Sequence, residues 1–155
     1  MYKYCCTNCN YIYNPFVGDE EQSIIPGTFF EDLPEDYYCP LCSESKDGFY
    51  GIKENIQEVL NKEDLTEQEE EHTTFFYKKD GKIFITIGNE DNSHPSDDGH
   101  FIEYIGIFDD VGDLIEMKKF PDPEEEIIFD IGEIDDCEVR SSCNLHGVWK
   151  GIEKK

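Results

Sequence analysis

The sequence predicts a mainly β protein in two parts: a small metal-binding domain, then an antiparallel β-sandwich or barrel. Three observations carry this. Two Cys-x2-Cys pairs fall within the first fifty residues, an acidic stretch follows, and short apolar runs separated by turn residues fill the chain from residue 72 onward. All four histidines (His72, His94, His100, His146) lie in the later part together with Cys137 and Cys143, so the two parts carry separate metal chemistries.

At 155 residues the chain has room for one ordinary domain, or for one small and one medium domain. Thirteen basic residues against 37 acidic ones give a net charge of −24. That sign argues against nucleic acid or an anionic membrane as partner, since phosphates reward the opposite charge. The first twenty residues, MYKYCCTNCNYIYNPFVGDE, lack the apolar run of a signal peptide, and no stretch approaches the roughly 20 apolar residues that span a bilayer. The expectation is a soluble, cytoplasmic protein, in which reduced thiols make the seven cysteines metal ligands rather than disulfides.

Residues 1–53 read as the first domain, 54–69 as an acidic linker with a short helix, and 70–155 as the second domain. Residues 54–71 hold eight acidic side chains and one lysine, with Ile56, Val59 and Leu60 at helical spacing, which predicts a short helix and then a solvated connector. Beyond it, FFYKKDGKIFITIG (75–88) is two apolar runs around KKDG and predicts a hairpin. HFIEYIGIFDD (100–110) and LIEMKKF (114–120) predict two further strands around VGD, and EEIIFDIG and CEVRSSC supply shorter ones. Cys137 shares strand parity with Val139 and Cys143 and is expected to point into the core.

In the first part, Cys6-x2-Cys9 and Cys39-x2-Cys42 are separated by 29 residues. Two such knuckles facing each other close a tetrahedron of sulfur that suits zinc or iron, and spacing alone leaves a structural zinc ribbon open. The surrounding residues add more. Tyr4, Tyr11, Tyr13, Phe30 and Phe49, with PGTFFEDLPEDYYCPLC, resemble rubredoxin along nearly all of residues 1–50. The resemblance implies one iron held by Cys6, Cys9, Cys39 and Cys42 and a one-electron carrier role. Asn10 and Ser43 stand where that family has glycine after each knuckle, and Tyr37 stands where it has a core tryptophan. Cys5 reads as a bystander next to a ligand.

In the second part, HPSDDGH places His94 and His100 six apart across a turn-rich loop, His72 stands at the entry to the first β run, and CNLH holds Cys143 and His146 three apart. A nucleophile–base pair at Cys143 and His146 would need an orienting group and a cleft, and zinc would close its shell with four ligands. Four imidazoles and one thiolate suit a transition metal with an open position. Glu70-x-His72, HP-x4-H with FIEYI, and CNLHGVW (143–149) resemble superoxide reductase, the neelaredoxin and desulfoferrodoxin module, over residues 70–155. The resemblance implies an immunoglobulin-like antiparallel β-sandwich holding one iron. It assigns His72, His94, His100 and His146 as equatorial ligands, Cys143 as axial ligand and Glu70 as the residue that can close the sixth position. Ferrous iron with these ligands carries +1, which favours an anionic substrate, and the thiolate pushes electron density onto the metal. Two positions depart from the family: Glu71 replaces a lysine that draws in superoxide, and Thr74 replaces a proline. Residues 72–155 carry 9 basic and 20 acidic groups, net −11, so any steering must be local, from Lys78, Lys79, Lys82 or Lys150.

Together the resemblances imply a superoxide reductase with two iron ions. Superoxide, two protons and one electron would give hydrogen peroxide, and the fused rubredoxin-like centre would supply the electron. They also imply an upstream NAD(P)H-dependent rubredoxin reductase and a homo-oligomer, dimer or tetramer. Two other readings stay open at this stage: a rubredoxin-type electron carrier whose β domain docks other redox partners, and a protein with structural zinc in both sites.

Overall fold

The computed structural model describes residues 3–53, 55–89, 91 and 93–154, and the chain divides into two compact units, Met1–Glu54 and Asn55–Lys155. In the first unit, β1 (Lys3–Cys6) pairs antiparallel with β2 (Ile12–Tyr13) on one side and β3 (Phe49–Ile52) on the other. So small a sheet cannot bury much aliphatic surface, and aromatic rings fill the core instead. Tyr13, Phe30, Leu33 and Tyr37 form its centre, with Tyr4, Tyr11 and Phe49 packed around them. Tyr4 stacks on Phe30 with centroids 4.0 Å apart, and Tyr13 meets Tyr37 edge-on at 5.6 Å. Each such pair contributes about 0.5–1.5 kcal/mol beyond the area it buries. The phenols keep partners as they sink: Tyr13 donates to the Thr28 carbonyl (2.7 Å) and Tyr37 to the Asp19 carboxylate (3.2 Å). Tyr37 thus occupies the expected tryptophan position with a buried acceptor waiting for its hydroxyl.

The second unit is a β-sandwich. Its longer sheet runs β4 (Ile56–Gln57), β11 (Gly147–Lys150), β10 (Glu138–Cys143), β7 (Ile102–Phe108) and β8 (Leu114–Lys119). The facing sheet runs β12 (Ile152–Glu153), β5 (Thr74–Lys79), β6 (Lys82–Ile87) and β9 (Ile127–Asp130). Alternation does the work in β6, where Ile83, Ile85 and Ile87 are buried between more exposed neighbours. They meet Ile102, Ile105, Ile107, Val139 and Cys143 from the other sheet, with Cys137 packed against the same cluster as its parity requires. The 75–88 hairpin forms, and its turn is the Asp-Gly pair: Asp80 (φ 53°) and Gly81 (φ 72°) both adopt the left-handed conformation that matches strand twist. At Gly151 the chain crosses from β11 to β12, and an added Cβ would lie 2.5 Å from the Thr74 hydroxyl.

The connector departs from expectation. Ile56, Val59 and Leu60 form no helix, because two uncapped turns are too short to hold themselves together. Ile56–Gln57 instead adds a parallel edge strand to β11, Val59 is buried and Leu60 is 94% exposed. The helix comes later, as α1 (Glu67–His72), where the sequence supplies a cap. The Thr66 hydroxyl accepts from the Glu69 amide (3.3 Å), and the Glu69 carboxylate accepts from the Thr66 amide (2.8 Å). Glu67, Glu69 and Glu70 in its first turn oppose the positive helix end.

Candidate metal centres

In the first unit the Sγ atoms of Cys6, Cys9, Cys39 and Cys42 all lie within 4.8 Å of one another. Cys6 and Cys42 are 3.5 Å apart and Cys9 and Cys39 are 3.4 Å apart. Metal–sulfur bonds of about 2.3 Å give a tetrahedron with edges of about 3.8 Å, so one ion fits with little adjustment. Each knuckle closes on a backbone bond, Asn10 N–H to the Cys6 carbonyl (3.0 Å) and Ser43 N–H to the Cys39 carbonyl (2.9 Å). Both Asn10 and Ser43 sit at φ 64°, the left-handed conformation for which glycine is usual and which asparagine tolerates better than serine. Burial raises the Cys39 thiol, whereas the Asn8 side chain, with help from the Glu44 backbone, draws Cys42 down to about 6. Four thiols so placed cannot all ionise without a cation among them. Cys5 lies outside the cluster, its buried sulfur directed at the Cys6 carbonyl (3.6 Å).

The second centre gathers residues from four places. α1 ends on His72, the β6–β7 loop carries His94 and His100, β10 ends on Cys143, and the turn into β11 carries His146. Register places Cys143 opposite Ile102 after a shift at Ser142, which brings the strand end beside the histidine loop. Asn144 fastens that loop to the strand end: its side chain accepts from Phe101 N–H (2.9 Å) and donates to the Gly99 carbonyl (3.1 Å). Asp97 closes the loop from within by accepting from the Gly99 and His100 amides.

Donor atoms of His72, His100, Cys143 and His146 all lie within 4.8 Å of one another. His94 joins them, with Nε2 3.3 Å from Cys143 Sγ and its ring centroid 4.5 Å from that of His100. His72 Nε2 and His146 Nδ1 are 3.0 Å apart. A metal bound by nitrogen at about 2.1 Å spaces adjacent nitrogens by about 3.0 Å, so these gaps suit donors around one ion. The outer ring nitrogens agree. His72 Nδ1 donates to the Gln68 carbonyl (2.7 Å) and His94 Nδ1 to the Pro95 carbonyl (2.7 Å), which leaves each Nε2 lone pair facing the centre. His100 Nε2 is buried with no hydrogen-bond partner among the described residues, as a metal-facing nitrogen should be. His146 alone turns Nδ1 inward, 3.6 Å from Cys143 Sγ.

Burial holds His94 down to about 4 and lowers His72 too, so both rings are neutral at pH 7 and ready to bind metal. For a ring depressed on folding, the unfolded chain takes up protons first, so stability is complete above about pH 6.5 and is lost as pH falls toward 4. In iron-free protein, the stability difference between wild type and His94→Gln should shrink by about 3 kcal/mol between pH 7 and pH 4. Denaturant titrations across that range read this directly, and a constant difference would contradict a buried neutral His94.

A family model for desulfoferrodoxin matches residues 63–152, and one for rubredoxin matches residues 3–49. The chain belongs to the desulfoferrodoxin family. Ahead of its desulfoferrodoxin domain it carries a rubredoxin domain, and the two donor sets are those of two iron centres. The high molecular weight rubredoxin of Moorella thermoacetica is 60% identical over 50 residues, which make up 32% of this chain and 22% of that protein. Among solved structures, the superoxide reductase of Treponema pallidum is 21% identical with a TM-score of 0.46, over 78% of this chain and 84% of that one. The superoxide reductase of Nanoarchaeum equitans is 23% identical with a TM-score of 0.40, over 52% and 88% of the two chains. No helix among the described residues is long and apolar enough to cross a membrane.

All five histidine and cysteine candidates of this desulfoferrodoxin centre converge, and on α1 Glu71 directly precedes His72 with Glu70 one residue earlier. Sequence reading missed the residues that support them. Ser141 donates to the His72 carbonyl (3.1 Å), Ser142 to the fully buried Glu103 carboxylate (3.0 Å), and the Trp149 indole stacks on the His72 ring with centroids 5.2 Å apart. Only Glu103 and Trp149 left a trace, as polar or aromatic outliers inside FIEYI and GVW.

Proposed function

We propose that the protein is a superoxide reductase: one superoxide, one electron and two protons yield one hydrogen peroxide at the His/Cys centre. His72, His94, His100, His146 and Cys143 are its iron ligands, and the Cys6, Cys9, Cys39 and Cys42 centre delivers the electron. The observation that carries this reading is the convergence of four imidazoles on one fully buried cysteine, a five-donor set that leaves a sixth position for a small substrate. Iron, when bound, supplies the one-electron reduction. The chain's own contributions are separate: it keeps the imidazoles neutral, fixes which nitrogen of His72 and His94 faces inward, and shields Cys143 from water. Glu70 closes the open position between turnovers. The donor that reloads the four-cysteine centre is an NAD(P)H-dependent reductase, and the protein works in the cytoplasm as a homo-oligomer.

Pulse-generated superoxide added to reduced protein tests this. One peroxide per superoxide, with no oxygen released, supports the reductase, whereas oxygen release marks dismutation and no peroxide leaves only electron carriage. Glu71 gives a second test, because an anion approaching His72 passes an added negative charge where a lysine would attract it. Exchanging −1 for +1 at a distance on the order of 10 Å in water-like dielectric changes the encounter by about three- to fivefold. Glu71→Lys should therefore raise the second-order rate with superoxide by that factor at low salt. The gain should fade as ionic strength shortens the Debye length, and a salt-independent gain would show that steering is not its cause.

A further inference from the structure

The connector that sequence reading leaves to solvent lies against the ligand-bearing turn. β4 pairs in parallel with β11, Ile56 with Val148 and Gln57 with Trp149. The Gln57 side chain then reaches past the strand end, and its Nε2 donates to the His146 carbonyl at 2.5 Å. Two further contacts secure the segment: Glu58 pairs with Lys150 (3.5 Å) and Val59 is 4% exposed. Gly147 follows His146 at φ 82°, in the left-handed region that favours glycine.

This bond answers a question that the site itself poses. His72 and His94 are oriented through their rings, each by a carbonyl on Nδ1. His146 has no such ring anchor among the described residues: its Nδ1 faces the donor cluster, and its outer Nε2 makes no hydrogen bond there. Its main chain is held instead: among the described residues, the Gln57 side chain donates to the His146 carbonyl. We infer that Gln57 is a positioning residue for the iron centre: by gripping the His146 carbonyl it fixes where His146 Nδ1 stands relative to Cys143 and His72. The inference rests on the cluster being the iron centre, not on the reaction that iron performs. It also gives the segment behind the rubredoxin domain a second task. The tether is part of the scaffold of the other centre.

Outer-sphere partners of metal ligands are commonly worth about 10- to 100-fold in metal affinity. In full-length, iron-loaded protein, Gln57→Ala should release iron from the histidine centre to a ferrous chelator roughly tenfold faster, at the low end of that range. It should also shift the sulfur-to-iron absorption band of the oxidised centre, while the four-cysteine spectrum stays unchanged. Gln57→Glu places an acceptor against an acceptor and should be at least as damaging, whereas Gln57→Asn should recover part of the effect. Val59→Ala separates positioning from mere docking of the strap: it should lower the melting temperature without moving the band. The inference fails if Gln57→Ala leaves band and release rate at wild-type values, or if Val59→Ala moves them equally. None of these readouts needs superoxide, so a wild-type protein that makes no peroxide would overturn the proposed reaction and leave this test standing.

Discussion

Cys143→Ser should lower peroxide formation from superoxide by more than about 100-fold, because loss of a ligand must exceed the 10- to 100-fold cost of losing a ligand's support. The reason is electronic as well as structural. Cys143 is fully buried, with His94 Nε2 at 3.3 Å and His146 Nδ1 at 3.6 Å, so no solvent group can replace its charge. Serine keeps the shape, stays protonated at neutral pH and donates far less electron density than a thiolate. The sulfur-to-iron band should vanish while the four-cysteine spectrum persists, since that centre lies in the other unit. Visible spectra paired with pulse-generated superoxide distinguish the outcomes, and substantial turnover in the variant would remove Cys143 from its assigned role.

Cys39→Ser makes the complementary cut. Cys39 is fully buried, and its sulfur lies 3.4 Å from that of Cys9, so its loss opens the four-thiolate cluster. The histidine centre should keep its iron and reduce superoxide normally in a single turnover from the pre-reduced state. Continuous turnover is different, because each cycle consumes an electron. A donor tethered on the same chain acts at an effective concentration of order mM, whereas a free carrier is commonly present at µM. Steady-state peroxide production driven by an external reductase should therefore fall by roughly 100-fold or more at micromolar protein. Equal steady-state rates in wild type and variant would show that the rubredoxin domain is not the supply line.

Much of this was legible in the sequence where chemistry and spacing coincide. Two Cys-x2-Cys knuckles state a tetrathiolate, and Asp80-Gly81 states a hairpin whose strands then pair from Thr74 with Ile87 to Lys79 with Lys82. Four histidines and Cys143 stated a possible five-donor site, and all five do meet. The failures have a common cause. Ile56, Val59 and Leu60 carry a helical period, but period alone does not outweigh an open strand edge that offers backbone partners at once. Gln57, Asn144, Ser141 and Ser142 are ordinary polar residues in sequence, and each acquires a role only from a partner 39 to 89 residues away.

Residue type and local spacing were enough for the inventory of candidate metal donors, the separation into two metal chemistries and the strand-rich character of the second domain. The fold was needed to settle which ring nitrogen of His72, His94 and His146 faces the donor cluster. It also decided that the acidic connector begins as the fifth strand of a sheet and that His146 is held by its carbonyl. Those outcomes depend on backbone groups brought together across the fold, and a backbone carbonyl has no letter in the sequence.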